Sequence, residues 1–179
     1  EDLRLLAQAE GGALDLNLEP NSLETVLSRS VEAFRARADA RDVEVRLQVS
    51  PGLSLVMLDR TRIAQVVGNL LENAVQHTPR GGAVRVSVEA APAGMARVTV
   101  EDSGEGIPPE EIPLVFERFY RVDPSRQRQS EGAGLGLAIV KSIVEAHEGN
   151  IAVISERGVT RFTIRFPRTG DAGNIAMRG

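Results

Sequence analysis

The sequence predicts an α/β fold, a two-layer sandwich in which three helices cover one face of a mixed sheet of about five strands. Three observations predict it. Ile63, Val66, Val67, Leu70, Leu71, Ala74 and Val75 recur at the spacing of one helix face and mark a long amphipathic helix. Val43, Val45, Leu47 and Val49 alternate with polar residues, the pattern of a half-buried strand. Helical and extended segments then succeed one another along 179 residues, enough for one domain, or one domain with an appendage.

Each element has a local cause. Residues 3 to 9 read as the tail of a helix with Leu3, Leu6 and Ala7 on one side, stopped by Gly11-Gly12. Leu14, Leu16 and Leu18 alternate as a short strand would. Asn21 with Glu24 three residues later is a capping signature, opening a helix to about residue 42 that buries Leu23, Val26, Leu27, Val31 and Phe34. Pro51-Gly52 turns the chain after the strand at 43–49, and Asp59 caps the long helix, which Pro79 and Gly81-Gly82 end. Strands follow at 84–89 and 96–101, joined by Pro92-Ala93-Gly94. A short acidic helix start is expected at 109–115, then a cluster in which Phe116 and Phe119 plug the core. Between Val122 and Ala133 the only apolar residue is Pro124, so the segment cannot bury itself and reads as a lid. An amphipathic stretch at 138–147 and a closing strand pair at 151–155 and 160–166 complete the pattern, and residues 168–179 read as a frayed tail.

Composition narrows the function. Hydrophobic residues make up 42% of the chain but aromatics only 3%, so a core is feasible and must be aliphatic. A net charge of -4 argues against a nucleic-acid binder that relies on bulk charge. With no Cys, disulfides and thiolate zinc sites are excluded. No apolar run approaches the ~20 residues that span a bilayer, and no signal peptide opens the chain. The chain starts at Glu1 without Met and reads as a piece of something longer.

The run Gly132-Ala133-Gly134-Leu135-Gly136-Leu137 leads into a helix. Glycine lets backbone N–H groups approach a ligand closely, and a helix N-terminus points unpaired N–H groups and its positive dipole end at it. Together they can cradle phosphate. It is not a Walker loop, because Leu137 and Ala138 stand where Lys and Ser or Thr are needed, and the only lysine is Lys141. It is not a dinucleotide fingerprint either, because no strand precedes it and the third glycine is missing. Taken alone, the run is a weak signal, with a plain glycine-rich loop as the alternative.

Upstream residues add to it. Asn69, Asn73 and Gln76 fall on one helical stripe opposite the apolar set. An Asn amide oxygen is a neutral hard ligand suited to Mg²⁺ that bridges phosphates, although such a stripe is also an ordinary solvated face. Asp102 ends a strand before Ser103-Gly104-Glu105-Gly106-Ile107-Pro108. A carboxylate there can accept from an adenine amino group, whereas guanine would oppose it with a carbonyl. Asp102 as a mere turn former is the plainer alternative. Arg121, Arg126 and Arg128 in the polar segment can close over a triphosphate.

In this order, NLLENAVQHTP, DSGEGI, FERFYR and GAGLGL resemble the N, G1, F and G2 boxes of sensor histidine kinases, within the superfamily of gyrase, heat-shock-90-type and mismatch-repair ATPases. The resemblance covers roughly residues 14 to 167 and implies the Bergerat-type ATP-binding fold. It implies that residues 1–12 end a dimerising, phosphoacceptor helix, that 13–168 form the catalytic ATP-binding domain and that 169–179 are a disordered tail. It implies Asn73 as the Mg²⁺ ligand with Asn69 beside it near the phosphates, and Gln76 and His77 in the nucleotide motif. It places Asp102 on the adenine amino group, Gly104, Gly106 and Ile107 around the base, and Tyr120 and Arg121 at the nucleotide, with Arg121 reaching the γ-phosphate. Gly132, Gly134 and Gly136 fold around the phosphates, with Leu135 and Leu137 packing behind. The implied catalytic set is Asn69, Asn73 and Arg121, with ATP and Mg²⁺ as the bound species.

The chain departs from the pattern at Gln76, where a Lys or Arg is common, at Glu148 in place of a glycine, and at Val159 before Thr160. The stretch RVDPSRQRQSEGAGLGLAIVKSIVEAH is most similar to the copper, silver and related heavy-metal sensor kinases. The superfamily's hydrolases carry a Glu four residues before the metal-ligating Asn. Here that residue is Asn69, and Glu72 is about 100° around the helix from Asn73, which favours transfer over hydrolysis. The acceptor is expected to be a histidine, whose neutral imidazole is a competent nucleophile. Of the two histidines, His77 lies in the nucleotide motif and His147 reads as a helix C-terminal cap favoured by the dipole, so the acceptor is expected on a separate helical domain. A response regulator is the implied next partner. The whole is expected to be a dimeric bacterial inner-membrane protein with this domain cytoplasmic, and this piece a monomer without membrane contact. Two rivals are an anti-sigma-type serine kinase and a non-catalytic ATP-binding module.

Overall fold

The computed structural model describes residues 2–12, 14–53, 55–120, 134–156 and 158–167. In chain order the elements are α1 (Asp2–Glu10), β1 (Glu19–Asn21), α2 (Leu23–Ala40), β2 (Glu44–Val49), β3 (Val56–Leu58), α3 (Arg60–His77), β4 (Ala83–Ala91), β5 (Met95–Asp102), a 3-10 turn (Ile112–Leu114), α4 (Gly136–Ala146), β6 (Asn150–Glu156) and β7 (Val159–Pro167). The main sheet has five strands in the order β2-β4-β5-β7-β6. Only β2 and β4 are parallel, and α3 lies between them in the chain, as a parallel crossover requires. The other neighbours pair antiparallel.

Alternation decides which side of the sheet is covered. Val84, Val86 and Val88 of β4, Ala96, Val98 and Val100 of β5, and Phe162, Ile164 and Phe166 of β7 are buried, while their odd neighbours such as Arg85, Thr99 and Arg161 are not. Helices α2, α3 and α4 lie on the buried face, α2 against β2 and β4, α3 against β4 and β5, and α4 against β6. Asp102 continues the inward row of Val98 and Val100, and Thr160 opposite it continues the row of Phe162 and Ile164. The core row therefore ends in two polar side chains, at the margin of the helical layer.

The long helix forms where the repeat placed it, and its seven apolar residues are all buried. Asp59 caps it, its carboxylate accepting from Thr61 N at 2.9 Å and Arg62 N at 3.0 Å. Burial pushes the Asp59 carboxyl up, but the N–H groups of Arg62, Asn17 and Thr61 outweigh it and hold it below its ordinary value.

Several expectations are corrected. A fourth helix, α1, packs on α4, and it buries Leu5 and Leu6 while Leu3 is 55% exposed. Leu6 is buried as expected, but Leu5 rather than Leu3 or Ala7 shares its face. Residues 14–18 form no strand; the extended pairing is β1 with β3 in a separate two-stranded sheet, because only residues 19–21 lie opposite a partner. The α2 cap is Ser22, whose hydroxyl accepts from Thr25 N, while Asn21 donates to the Leu58 carbonyl at 3.2 Å and ties β1 to β3. The acidic helix at 109–115 is a single 3-10 turn, since Pro109 and Pro113 lack the N–H groups a helix needs. Phe116 does plug the core, edge-on to Phe162 at 6.2 Å, but Phe119 is 61% exposed with φ 61. His147 is the C-cap of α4, as expected, but burial holds its pKa below the ordinary value, against the opposing pull of the Ile143 carbonyl and Asp59. The lid at 123–131 and the tail at 169–179 lie outside the described residues.

Candidate functional site

One polar stripe on α3 meets two glycine-bearing loops. Asn69, Asn73 and Gln76 are half-buried along it, and His77 ends it at the surface. At Asn69 the loop before α4 closes in: the Asn69 Nδ2 donates to the Gly136 carbonyl at 3.2 Å. A Cβ at Gly136 would meet the Asn69 amide carbon at 3.8 Å, ordinary contact, so the close fit is made by the hydrogen bond. Gly134 differs. Its φ is +69, and a Cβ there would lie 2.9 Å from the Phe119 backbone, whose N–H donates to the Gly134 carbonyl at 2.9 Å. That pairing fastens the FERFYR segment to the collar, and it requires glycine. Leu135 is buried and Leu137 half-buried against the core behind it.

At the other end of the stripe, the turn after β5 closes in. A Cβ at Gly104 would stand 2.7 Å from the His77 carbonyl and 2.6 Å from the Asp102 Oδ1, so only glycine brings this turn onto the end of α3. The Gly104 N–H donates to that same Oδ1 at 2.9 Å. Asp102 is 2% exposed, and its carboxyl is pushed up to about 6, first by burial and secondarily by Glu101, with the Gly104 bond opposing. Gly106 has φ +85, and the Ile107 N–H donates to Ser155 Oγ at 2.7 Å. Ser155 Oγ also lies 3.0 Å from Thr160 Oγ1. Tyr120 is half-buried; desolvation first, then its bond to Glu111, holds its phenol above the ordinary value.

The two loops are anchored at residues 69 and 77 of α3, about 12 Å apart along a helix rising 1.5 Å per residue. An open depression of about 670 Å³, a volume ordinary for small-molecule pockets, adjoins the Gly104 end. Gln76, His77, Gly104 and Glu105 line it together with Arg41, Thr78 and Arg80. Asn69, Asn73 and Asp102 do not line it. Among the described residues no three His, Cys, Asp or Glu converge on a metal position, so a cation here would rely on amide oxygen and on the ligand's own phosphates. The residues present fit that case. The stripe offers neutral amides, and among the described residues the only deeply buried carboxylate, Asp102, is at the far end.

Of the residues singled out in the sequence, the structure thus groups Asn69 with Gly136, His77 with Gly104 and Asp102, and Gly134 with the segment before Tyr120. Arg121 and Gly132 lie outside the described residues. Ser155, Thr160 and Arg41 escaped the sequence reading. Thr160 was legible as a polar residue in the inward register of Phe162; Ser155 and Arg41 carry no local signal. Arg41 reaches the site only because its Nη2 donates to the Gln76 carbonyl at 3.3 Å across two helices.

A family model described as histidine kinase-, DNA gyrase B- and HSP90-like ATPase matches residues 58–170, which hold both anchored loops and all of α3 with its cap at Asp59. The chain belongs to this family. It is similar to the sensor histidine kinase CusS of Escherichia coli O157:H7, 42% identical over 169 residues, 94% of this chain and 34% of that protein. It is also similar to the probable sensor kinase SilS of Salmonella typhimurium, 40% identical over 171 residues, 93% of this chain and 34% of that protein. The chain therefore spans 34% of the length of these curated relatives. Among solved structures, full-length ShkA in complex with AMPPNP superposes with a TM-score of 0.82 at 32% identity, over 93% of this chain and 34% of that one. The mycobacterial sensor histidine kinase MprB superposes at 0.74 and 37% identity, over 83% of this chain and 97% of that one.

Proposed function

We propose that this chain binds ATP with Mg²⁺ along the polar stripe of α3 and acts as the catalytic ATP-binding domain of a sensor histidine kinase. The observation that carries the reading is Asp102, a buried carboxylate at a strand end, bonded to Gly104 where that glycine rests on the end of α3. Asp102 accepts from the adenine amino group, with Gly104, Gly106 and Ile107 shaping the base pocket. Mg²⁺ held by Asn73 would neutralise phosphate charge. Asn69 and the collar around Gly134 and Gly136 sit at the phosphate end, with Arg121 and Gly132 completing it. The γ-phosphoryl group passes to a histidine nitrogen on a separate helical domain, ADP leaves, and a response regulator receives the group in turn. CusS and SilS, both named as sensor kinases, support the kinase reading; we take a heavy metal as the signal and place this domain in the cytoplasm, as part of a membrane-anchored dimer. Among the described residues no helix is long and apolar enough to cross a membrane.

Two observations favour transfer to another domain. Glu72 is drawn away by Arg37 of α2, whose Nη1 donates to it at 2.9 Å, so it is not poised to activate water beside Asn73. His147 is 4% exposed with both ring nitrogens engaged, so it is no acceptor. Calorimetric titration is expected to show ATP binding that tightens with Mg²⁺. Asn73→Ala is expected to bind ATP with that tightening gone, and γ-labelled ATP to leave the chain unlabelled. No ATP uptake by the unaltered chain would end the reading, and undiminished Mg²⁺ tightening in Asn73→Ala would remove the ligand assignment.

A further inference from the structure

Helices α3 and α4 carry the two halves of the phosphate end, and they are tied together twice. One tie is the Asn69 amide on the Gly136 carbonyl at the start of α4. The other is at the opposite end of α4. His147, its C-terminal cap residue, lies 4% exposed, edge-on to Phe166 at 6.1 Å. Its Nδ1 lies 2.7 Å from the Ile143 carbonyl, and its Nε2 lies 3.0 Å from the backbone N of Asp59, the cap residue of α3. The partners decide the tautomer. A carbonyl can only accept, so Nδ1 carries the proton, and an N–H can only donate, so Nε2 is the bare acceptor. The ring is a neutral bridge from the last turn of its own helix to the first residue of the next.

We infer that His147 is a positioning residue for the nucleotide site: it fixes where α4, and hence the collar at Gly134–Gly136, stands against the Asn69–Asn73 stripe of α3. Two points define the relation of two rods where one leaves a pivot. Loss of the Asp59 bond leaves α4 held by Asn69 and by the apolar packing of Ile139, Val140, Ile143 and Val144, so its far end can swing and the N–H groups of its first turn, at the collar, turn with its axis. The inference rests on the proposed nucleotide reading. It adds a residue that touches no ligand and lies at the far end of both helices from the collar.

Two substitutions separate the bridge from mere filling. His147→Asn places an amide N–H where Nδ1 was, keeping the Ile143 bond while falling short of Asp59. His147→Gln reaches further and can offer an oxygen at the Nε2 position. Native-state hydrogen exchange of the Asp59 amide reads the tie directly. The ratio of ATP·Mg²⁺ affinity to adenosine affinity reads the collar, because adenosine is held by the Asp102 end and has no phosphates. In His147→Asn the Asp59 amide is expected to lose protection and the ratio to fall roughly tenfold, about the 1.4 kcal/mol of one hydrogen bond's net value. In His147→Gln both are expected to be largely restored. A structural role alone would lower the unfolding midpoint in both variants and leave the ratio unmoved, and that result would overturn the inference. A ratio unchanged in folded His147→Asn with the Asp59 amide exposed would do the same. If the unaltered chain bound neither ligand, the nucleotide reading would fall and the inference with it; binding in the unaltered chain with an unmoved ratio would sink the inference alone.

Discussion

Asp102 is stable only at a cost, and the cost has a sign. Its carboxyl sits at about 6 in the folded chain against an ordinary 3.8, so the folded state keeps a proton that the unfolded state releases. Stability from this group therefore falls as pH rises from 3.8 to about 6 and is flat above, a loss of about 3 kcal/mol. His147 runs the other way. Its folded pKa is lowered, so its contribution is complete above 6.5 and is lost as pH falls below it. Asp102→Asn is expected to raise the thermal midpoint at neutral pH and to leave it near unchanged at about pH 4, while His147 contributes equally to both proteins and cancels. The same variant is expected to weaken ATP binding by roughly 1.5–3 kcal/mol, the value of a hydrogen bond to a charged group. Greater stability with undiminished affinity would leave Asp102 as a buried carboxylate with no part in reading the base.

At the scale of elements, α3 does most of the positioning. Its apolar face is held by seven buried residues and its polar face is thereby turned to the two loops. Its start is fastened at Asp59 in two ways, by the carboxylate, which accepts from the N–H groups of Thr61, Arg62 and Asn17, and by the backbone N–H, which donates to His147. Asp59→Ala removes only the first and is expected to cost about 1 kcal/mol, as cap losses do. Urea unfolding checks it, and nucleotide affinity is expected to hold because the His147 bridge uses the backbone. The loops owe their reach to glycine at two places, Gly104 on the His77 carbonyl and Gly134 on the Phe119 backbone.

At the scale of the molecule, α1 belongs to the same core as the sheet. Leu5 and Leu6 are buried with α4 beneath them. Leu6→Ala is expected to cost about 2–5 kcal/mol, the range for a buried leucine. Far-UV signal and a probe in the sheet are expected to shift together in urea, as one cooperative unit does. A separate early transition of the first helix would show that α1 only rests on the domain. The point bears on function, because α1 leans on the helix whose first turn forms the collar.

Local chemistry is what the sequence by itself determined. The repeat from Ile63 to Val75, the alternation from Val43 to Val49, the cap at Asp59 and the glycines at 104 and 134 each depend on neighbours in the chain, so they are legible without the fold. The inward placement of Asp102 belongs here too, since it shares a parity with Val98 and Val100. Tertiary structure alone decided what depends on a distant partner. Residues 14–18 fail as a strand because nothing pairs with them, and Phe119 turns outward because its backbone, not its ring, is held by Gly134. Arg41 meets Gln76, and His147 meets Asp59, across sequence gaps that no periodicity spans. Hydrogen bonds between remote segments leave no spacing in the sequence, because their geometry is set only when the core has brought the helices together.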